Sequence, residues 1–399
     1  MHANEILKAL PARSEVLIVG AGPTGMALAI RLRLAGMQPL VIERLAAGLN
    51  TSRAAVIHAH TLEALEELGV GEELEGRGIF VHNFRIRDRE RALLDLDFTK
   101  LPSRHAHLLM LPQEETEKVL EQRLRDLGGA VFRGVTAVAV SQTADSVFVE
   151  VETEAGHRTL EAMYVVGADG MQSVVRRASG TEFAGESYED PFVLADVRMD
   201  WPIEGEVSQF FAPEGLVVVA PLPHGRYRVV AAVENAPEKP SVEDIERLLA
   251  ERGPRGWTAR VQEVIWSSRF RVHHRVARRY RVGRLFLMGD AAHVHSPAGG
   301  QGMNTGLVDA VVLGALLASV LRGGRSEAVL DAYERLRRPA AEKVLALSAR
   351  LTRVATVAGR GKRRLRNFVF ALLNLIAPAK RRLLLALSGL DRKQHAETA

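Results

Sequence analysis

The sequence of 399 residues contains no cysteine. It can therefore form no disulfide, no thiolate zinc site and no cysteine nucleophile. Aromatic residues are also scarce, at 5%, and the three tryptophans, Trp201, Trp257 and Trp266, stand apart in the chain. Functions that require a tryptophan pair or a reactive thiol are excluded at the outset.

Long hydrophobic runs are lacking as well. The late apolar stretch at residues 368–379 is interrupted by Asn374 and Pro378 and is shorter than the roughly 20 residues that span a bilayer. The first ten residues contain Glu5 and Lys8 and no apolar run typical of a signal peptide. We therefore expect a cytoplasmic protein.

Acidic residues are nearly absent from one segment of an otherwise balanced chain. The net charge is +5, and residues 360–393 carry many lysines and arginines with Asp391 as their only acid. A solvated helical face, weak contact with an anionic membrane surface and a homodimer all remain open for this segment. No aromatic-interleaved groove or zinc-finger spacing accompanies it, so we expect no nucleic-acid partner.

A glycine-rich motif near the start follows an apolar strand pattern. Residues 16–19 lead directly into Gly20-Ala21-Gly22-Pro23-Thr24-Gly25 and then into a helical pattern. The first glycine allows a tight turn, the second lets the backbone approach a pyrophosphate, and the third brings helix close to strand. Glu43 ends the next apolar segment, where a carboxylate binds ribose hydroxyls, and Arg44 adjoins it. The pattern predicts a dinucleotide site.

A second glycine-rich segment lies near the other end. Residues 284–288 lead to Gly289-Asp290, and Pro297-Ala298-Gly299-Gly300-Gln301-Gly302 then opens a long apolar helix at Met303. Asp290 is suited to ribose or ribityl hydroxyls. The helix N-terminus would stabilise the negative charge that reduction leaves on a flavin. Because a dinucleotide has two ends and the chain offers a loop for each, the sequence predicts bound FAD. Without cysteines, it cannot be a flavin disulfide reductase.

A third motif lies between these two. The strand-like Tyr164-Val165-Val166 leads to Gly167-Ala168-Asp169-Gly170, which would also suit a simple hairpin turn. With the other two motifs, in this order, the chain resembles the single-component flavoprotein aromatic hydroxylases, the para-hydroxybenzoate hydroxylase-like family. The resemblance runs from about Val16 to Arg338. The separated tryptophans do not fit the flavin-dependent halogenases.

The resemblance implies an α/β fold. Its main part would be a glutathione-reductase-type, Rossmann-like FAD domain that is split in sequence, accompanied by a smaller mixed-sheet substrate domain and C-terminal helices. We assign residues 1–79, 102–180 and 271–345 to the FAD domain, 80–101 and 181–270 to the substrate domain, and 346–399 to the helical segment. Residues 331–350 predict a helix interrupted near Pro339.

The resemblance also implies roles for particular residues. Arg53 would lie by the pyrophosphate, Gln113 would contact FAD, Val135 would neighbour the adenine, and Asp169 would serve both the flavin and a transient NADPH or NADH. Asp290 would bind the ribityl side, and Pro297 would lie over the flavin ring. The isoalloxazine edge would be bound by Gly300, Gln301, Gly302, Met303 and Asn304.

The predicted function is an FAD-dependent monooxygenase. It would use NAD(P)H and O2 to hydroxylate an aromatic, phenolic or polycyclic, small molecule through a flavin C4a-hydroperoxide. Pro297 and His293 are the catalytic candidates, with an orienting role favoured for His293 over proton transfer. Strand patterns predict that the substrate is lined by Phe210, Phe211, Leu216 and Val218.

Two other functions remain open. One is an FAD-dependent reductase or dehydrogenase that acts on a lipid or quinone precursor, which the basic segment favours. The other is an FAD-binding scaffold without catalysis. No metal is expected, because the spacings His105-x-His107 and His58-x-His60 have no acidic partner beside them in the sequence.

Overall fold

The computed structural model describes residues 3–47, 54–233, 235–256, 259–355, 357 and 359–397. The helices in these ranges are α1 (Ala3–Ala9), α2 (Pro23–Leu34), α3 (Ala59–Glu66), α4 (Gly71–Arg77), α5 (Gln113–Asp126), α6 (Val174–Ser179), α7 (Val242–Arg252), α8 (Gly302–Leu321), α9 (Ala332–Ala355), α10 (Arg360–Leu375) and α11 (Ala377–Ser388). Short 3₁₀ helices occupy Phe98–Lys100, Gly289–Ala291, Glu327–Asp331 and Leu390–His395.

The strands fall into three sheets. In chain order they are β1 (Arg13–Val19), β2 (Leu40–Glu43), β3 (Val56–Ile57), β4 (Ile79–Val81), β5 (Asn83–Asp88), β6 (Arg91–Asp97), β7 (Leu108–Met110), β8 (Val131–Arg133), β9 (Thr136–Gln142), β10 (Val147–Thr153), β11 (Gly156–Gly167), β12 (Phe183–Asp200), β13 (Glu206–Ala212), β14 (Gly215–Leu222), β15 (Arg226–Ala232), β16 (Arg260–Ala277), β17 (Arg281–Val282), β18 (Leu285–Leu287) and β19 (His293–Val294).

The first sheet has a parallel centre. Its main order is β17-β18-β11-β1-β2-β8, with β10 also paired to β11 and β9 to β10. The pairs β18–β11, β11–β1, β1–β2 and β2–β8 are parallel. Residues 16–18 of β1 are 0% exposed, as expected for a strand covered on both faces. Helices α2 and α8 belong to the same hydrophobic core. These features confirm the predicted Rossmann-like α/β class.

The second sheet is mixed, in the order β19-β16-β12-β15-β14-β13-β5-β6. One of its faces packs under α7, in a core that includes Val193, Phe210 and Ile245. The other face forms a core with the C-terminal helices, where Phe211, Phe370 and Leu384 meet. Three short strands, β3, β7 and β4, form a small third sheet. The division into domains by residue range stays a prediction.

Helices α9 and α8 each have a feature that their sequences alone would not settle. Helix α9 does not break near Pro339 but continues through it, because Arg337, Ala340 and Ala341 on either side are buried. That burial offsets the roughly 3 kcal/mol that an interior proline costs. Helix α8 is long and apolar enough to cross a membrane, but 72% of its most apolar window is buried inside the protein. It is a central core helix.

Candidate functional site

The three glycine-rich motifs converge at one edge of the parallel sheet. In the register of the strands, Val19 lies opposite both Ile42 and Gly167, and Gly167 lies opposite Leu287. The chain segments that leave β2, β1, β11 and β18 are therefore neighbours at the carboxyl ends of these strands. Open α/β sheets bind ligands at this edge.

The geometry of the first loop matches the role of each glycine. Gly20 has φ +105° and donates its N–H to the carbonyl of Ile42 at 2.8 Å. A Cβ on Gly20 would lie 2.4 Å from the carbonyl oxygen of Ala168, and one on Gly25 would lie 2.0 Å from that of Gly20. At Gly22 a Cβ would meet no described atom within 4 Å. The outer side of this loop is therefore open to a ligand, and α2 begins there at Pro23.

Glu43 faces this loop from the end of β2. One of its carboxylate oxygens accepts the N–H of Ala21 at 2.8 Å, and the other accepts the N–H of Leu45 at 3.0 Å. Each oxygen keeps a lone pair that can accept a hydrogen bond from a ribose hydroxyl. The two backbone bonds hold the carboxylate in place for that contact.

Asp169 follows β11 beside the same loop. Its Oδ2 accepts the N–H of Val174 at 2.7 Å, at the start of α6. Its buried Oδ1 has no hydrogen-bond partner among the described residues. Burial raises the pKa of Asp169. The motif is thus a strand–turn–helix connection rather than a hairpin turn.

The loop after β18 rests on a buried ionic cluster. Gly289 has φ +55°, and its N–H is donated to Asp309 Oδ2 at 3.2 Å. The same carboxylate lies 2.7 Å from His293 Nε2 and accepts Arg337 Nε at 2.7 Å. Burial alone would raise the pKa of Asp309, but the charge of Arg337 holds that pKa below its usual value. Asp290, the next residue of the loop, is exposed.

Thr24 lies where α2 and α8 cross. A Cβ on Gly306 would be 2.5 Å from Thr24 Oγ1, and one on Gly289 would be 3.0 Å from it. Close packing at this point brings the first turn of α8 to the end of β18. The flavin-edge loop, residues 297–304, is therefore adjacent to Gly289 and Asp290, where the ribityl side is predicted to bind.

The side chains of Gln301 and Asn304, in the flavin-edge loop, form hydrogen bonds with other parts of the protein. Gln301 Nε2 donates to the carbonyl of Leu387 at 2.9 Å, and its Oε1 accepts Arg392 Nη2 at 2.8 Å. Asn304 Oδ1 accepts the N–H of His58 at 2.8 Å, while its Nδ2 donates to Val56 and Gly300. These contacts leave the backbone, rather than these two side chains, to face a ligand. Gly302 and Met303 form the first turn of α8.

Pro297 begins the turn that precedes α8. Its carbonyl accepts the N–H of Gly300 at 2.9 Å, and Gly299 and Gly300 have φ +83° and +62°. A Cβ on Gly300 would lie 2.2 Å from Val56 Cγ1. Only glycine fits this position without moving β3.

The remaining residues predicted to bind the cofactor are Gln113, Val135, Arg44 and Arg53. Gln113 starts α5, and its side chain donates to Glu117 at 2.8 Å. The side chain of Val135 is fully buried, while its N–H is donated to the carbonyl of Glu43 at 3.0 Å. A contact between Val135 and adenine would therefore come from its backbone. Arg44 directly follows β2. Arg53 lies outside the described residues.

The four predicted substrate residues do not share one surface. Phe210 packs against Trp201, with ring centroids 5.9 Å apart, in the core beneath α7. Phe211, Leu216 and Val218 face the opposite core, next to the C-terminal helices. Successive side chains of a strand point to opposite faces, so β13 separates the two phenylalanines. Phe210 does not line a pocket together with the other three.

The residues at the sheet edge fit FAD. The loop is open beyond Gly22, the buried Asp169 Oδ1 lacks a partner among the described residues, and Asp290 is exposed. The N-termini of α2 and α8 would offer N–H groups to a pyrophosphate and to a flavin edge respectively. Glu43 would offer the acceptor for a ribose.

Several residues that shape the site were not predicted. The His58 ring lies 2.8 Å from the carbonyl of Gly299, and burial lowers its pKa to about 4. Arg392 reaches the flavin-edge loop from the far end of the chain. The sequence does indicate that Asp309 is unusual, because it is the only charged residue in the apolar sequence of α8. No local pattern indicates the partners of His58 or Arg392.

Comparison with known proteins agrees with this geometry. The family described as FAD binding domain matches residues 13–348. An uncharacterized aromatic compound monooxygenase of Bacillus subtilis (strain 168) is 40% identical over 337 residues, which are 83% of this chain and 66% of the relative. The 12-dehydrotetracycline 5-monooxygenase/anhydrotetracycline 6-monooxygenase of Streptomyces rimosus is 38% identical over 349 residues, 84% of this chain and 68% of that protein.

A solved structure gives the same result for the fold. The p-nitrophenol 4-monooxygenase of Pseudomonas putida DLL-E4 superimposes with a TM-score of 0.87 at 26% identity, covering 96% of this chain and 99% of the other. The chain spans about two thirds of the length of the two curated relatives, which are 66% and 68% covered. The chain belongs to the FAD binding domain family and, within it, to the FAD-dependent aromatic monooxygenases, which are oxidoreductases.

Proposed function

We propose that this chain hydroxylates a phenolic small molecule with fused aromatic rings, using NAD(P)H and O2. The observation that carries the proposal is the convergence of Glu43, Gly22, Asp169 and Asp290 at one sheet edge, beside the N-terminus of α8. The substrate class is supported by the Streptomyces rimosus relative, whose name assigns it a tetracycline-type substrate.

The protein's own contribution is binding and positioning. Bound FAD supplies the redox chemistry, in which reducing equivalents from NAD(P)H are used to transfer oxygen from O2. Backbone N–H groups in the first turn of α8 stabilise negative charge at the flavin edge through the helix dipole. The backbone of the turn from Pro297 to Gly300 would lie beside the flavin ring when the cofactor is bound.

We assign a positioning role to His293 rather than proton transfer. Its ring is buried, stacks on Tyr280 with centroids 6.2 Å apart, and lies 2.7 Å from Asp309. A group enclosed in this way cannot reach a substrate hydroxyl. It acts through Asp309, which holds the N–H of Gly289 and so the loop that bears Asp290. Pro297, half-buried at the turn, remains the candidate in contact with the flavin ring.

The substrate pocket, in this proposal, lies between the second sheet and the C-terminal helices. A Cβ on Gly299 would be 3.4 Å from both Leu351 and Leu387, so α9 and α11 border the flavin-edge loop. Phe211 contacts Phe370 of α10 at 5.7 Å between ring centroids. Phe211, Leu216 and Val218 would provide the apolar wall, with residues 80–101 and 181–270 forming a substrate domain around it.

The exposed face of α10 supports an additional contact. Leu365, Phe368, Leu372 and Leu375 are 63%, 65%, 47% and 80% exposed and follow helical spacing. Basic residues flank this stripe, at 360, 362–364 and 380–382. We propose that the face rests on an anionic membrane surface. We expect the protein to sediment with anionic vesicles. The Leu372→Glu variant and high salt should each abolish this sedimentation. A vesicle-independent dimer in light scattering would assign the face to a second copy instead.

We also propose that the protein acts in the cytoplasm, because NAD(P)H is supplied inside the cell. Cell fractionation would place the protein in the cytosol or on the inner membrane surface. Recovery from an exported fraction would contradict this location.

The test of the main proposal is anaerobic stopped-flow reduction of the flavin by NADPH and by NADH. Each is measured with and without a panel of phenols and fused-ring phenols. We expect one fused-ring compound to accelerate reduction strongly and to yield a hydroxylated product when O2 is admitted. Rapid reduction under all conditions without such a product would support the reductase or dehydrogenase alternative. Absence of reduction by either donor with the flavin bound would support a scaffold.

A second experiment tests the cofactor residues. Asp290→Ala removes an exposed carboxylate at the sheet edge, whereas Asp145→Ala removes an exposed one on the β9–β10 hairpin. We expect only Asp290→Ala to lower the flavin content of the purified protein. Equal flavin content in both variants would overturn the assignment of Asp290 to the cofactor.

A further inference from the structure

Two histidines outside the flavin site meet two glutamates that are distant in sequence. His105 and His107 precede β7, Glu75 belongs to α4, and Glu66 is the last residue of α3. His105 and His107 are 3% and 6% exposed. The fold thus supplies the acidic partners whose absence from the local sequence argued against a metal.

The ligand atoms converge on a single point. Glu75 Oε1 lies 2.7 Å from His105 Nδ1 and 3.3 Å from His107 Nε2. The three ligand atoms all lie within 4.8 Å of one another. Two imidazoles and a carboxylate are a common donor set for Zn²⁺. A tetrahedral ion with bonds of about 2.0–2.2 Å holds its ligand atoms about 3.3 Å apart, so His105 Nδ1 and Glu75 Oε1 would need to separate by about half an ångström.

The His107 ring gives independent evidence for a ligand. Its Nε2 is buried and has no hydrogen-bond partner among the described residues, although it points at Glu75. Phe80 stacks on the ring with centroids 4.0 Å apart and fixes its orientation. A buried ring nitrogen without a hydrogen bond is costly unless another ligand, such as a metal ion, takes up its lone pair.

The other side of His105 has the arrangement found around metal ligands. Its Nε2 is hydrogen-bonded to Glu66, so Nδ1 is left to face Glu75. A metal-binding histidine commonly donates its second ring N–H to a carboxylate, which fixes the tautomer. Arg104 pairs with Glu66 and balances its charge.

We propose that His105 Nδ1, His107 Nε2 and one oxygen of Glu75 bind a divalent transition metal, Zn²⁺ by their chemistry, with water as the fourth ligand. Glu66 is a positioning residue for His105. The metal links α4 to the segment that leads into β7, and α3 is attached through the contact between Glu66 and His105. The site contains none of the residues assigned to FAD, so its test does not depend on the proposed function.

The test uses tag-free holoenzyme stripped with a chelator and titrated with Co²⁺. We expect one Co²⁺ per chain, with visible ligand-field absorption that Zn²⁺ abolishes. Zn²⁺ should also raise the thermal midpoint without changing flavin content. Glu75→Gln and His107→Asn should each weaken Co²⁺ binding at least tenfold, and Glu66→Gln about tenfold, as is typical when the partner of a ligand is removed.

The matched control is His157→Ala, which removes an exposed histidine whose ring nitrogen lies 3.9 Å from Glu152. Its Co²⁺ titration should match that of the unaltered protein. No stoichiometric binding, or equal binding in the Glu75→Gln variant, would overturn the proposal. That result would show that His105 is held between Glu66 and Glu75 by hydrogen bonds alone. Flavin content and circular dichroism establish that each variant is folded.

Discussion

Replacement of Asp309 by asparagine should destabilise the protein and loosen its flavin site together. The carboxylate is 0% exposed and is shared by Arg337, His293 and the N–H of Gly289. Asparagine keeps the shape but removes the charge, so the buried guanidinium of Arg337 loses its counter-ion. Breaking a buried pair in this way costs about 3–5 kcal/mol.

This cost converts into a measurable change in the thermal midpoint. With an unfolding entropy of about 2.1 cal/mol/K per residue over 399 residues, a loss of about 4 kcal/mol lowers the midpoint by about 5 °C. Flavin affinity should fall as well, because Gly289 precedes Asp290. A displaced loop that costs about 1.4 kcal/mol would raise the dissociation constant of FAD about tenfold.

The assay is differential scanning fluorimetry together with titration of FAD into stripped protein. The control is Asp331→Asn, because Asp331 pairs with Arg281 at 2.8 Å but is 60% exposed. A surface pair contributes about 0–1 kcal/mol, so its midpoint should move by about 1 °C or less. Equal shifts in the two variants would refute the argument that burial makes the Asp309 cluster essential.

Three further predictions follow from the same site. Gly25→Ala should abolish flavin retention, because its Cβ would lie 2.0 Å from the carbonyl oxygen of Gly20; normal flavin content after gel filtration would contradict this. Acid should destabilise the fold through His58 and His295, whose pKa values burial lowers from 6.5 to about 4. Below about pH 6.5 the unfolded chain takes up protons that these two buried rings do not, so each ring should lower the free energy of unfolding by about 2 kcal/mol between pH 7 and pH 5. His58→Gln should therefore reduce the loss measured by urea unfolding by about 2 kcal/mol. Finally, Arg392→Met should lower the thermal midpoint, because it leaves a buried amide oxygen unpaired, whereas the exposed Arg381→Met should not.

The local sequence was sufficient for the loops that would bind FAD. Gly20 and Gly25 are required by close backbone contacts within one strand–turn–helix unit, so their spacing alone indicates the geometry. The parallel strands that precede these loops could likewise be recognised from their apolar runs. The family resemblance, confirmed by the comparisons, then gave the class of enzyme.

Side-chain partnerships across the fold could not be predicted in this way. The sequence places Phe210 and Phe211 side by side, yet β13 directs them into different cores. Gln301 was expected at the flavin, but its side chain is bound by Leu387 and Arg392 from the C-terminal helices. Such pairings depend on which elements pack together rather than on local periodicity.

The sequence by itself determined the cofactor class, because backbone sterics and the helix dipole act over a few consecutive residues. Only the tertiary structure decided which charges are neutralised inside the protein. Asp309 meets Arg337 across 28 positions, and His105 meets Glu75 across 30. Electrostatic pairing acts through space, and the low dielectric of the interior makes it strong where the fold brings such groups together.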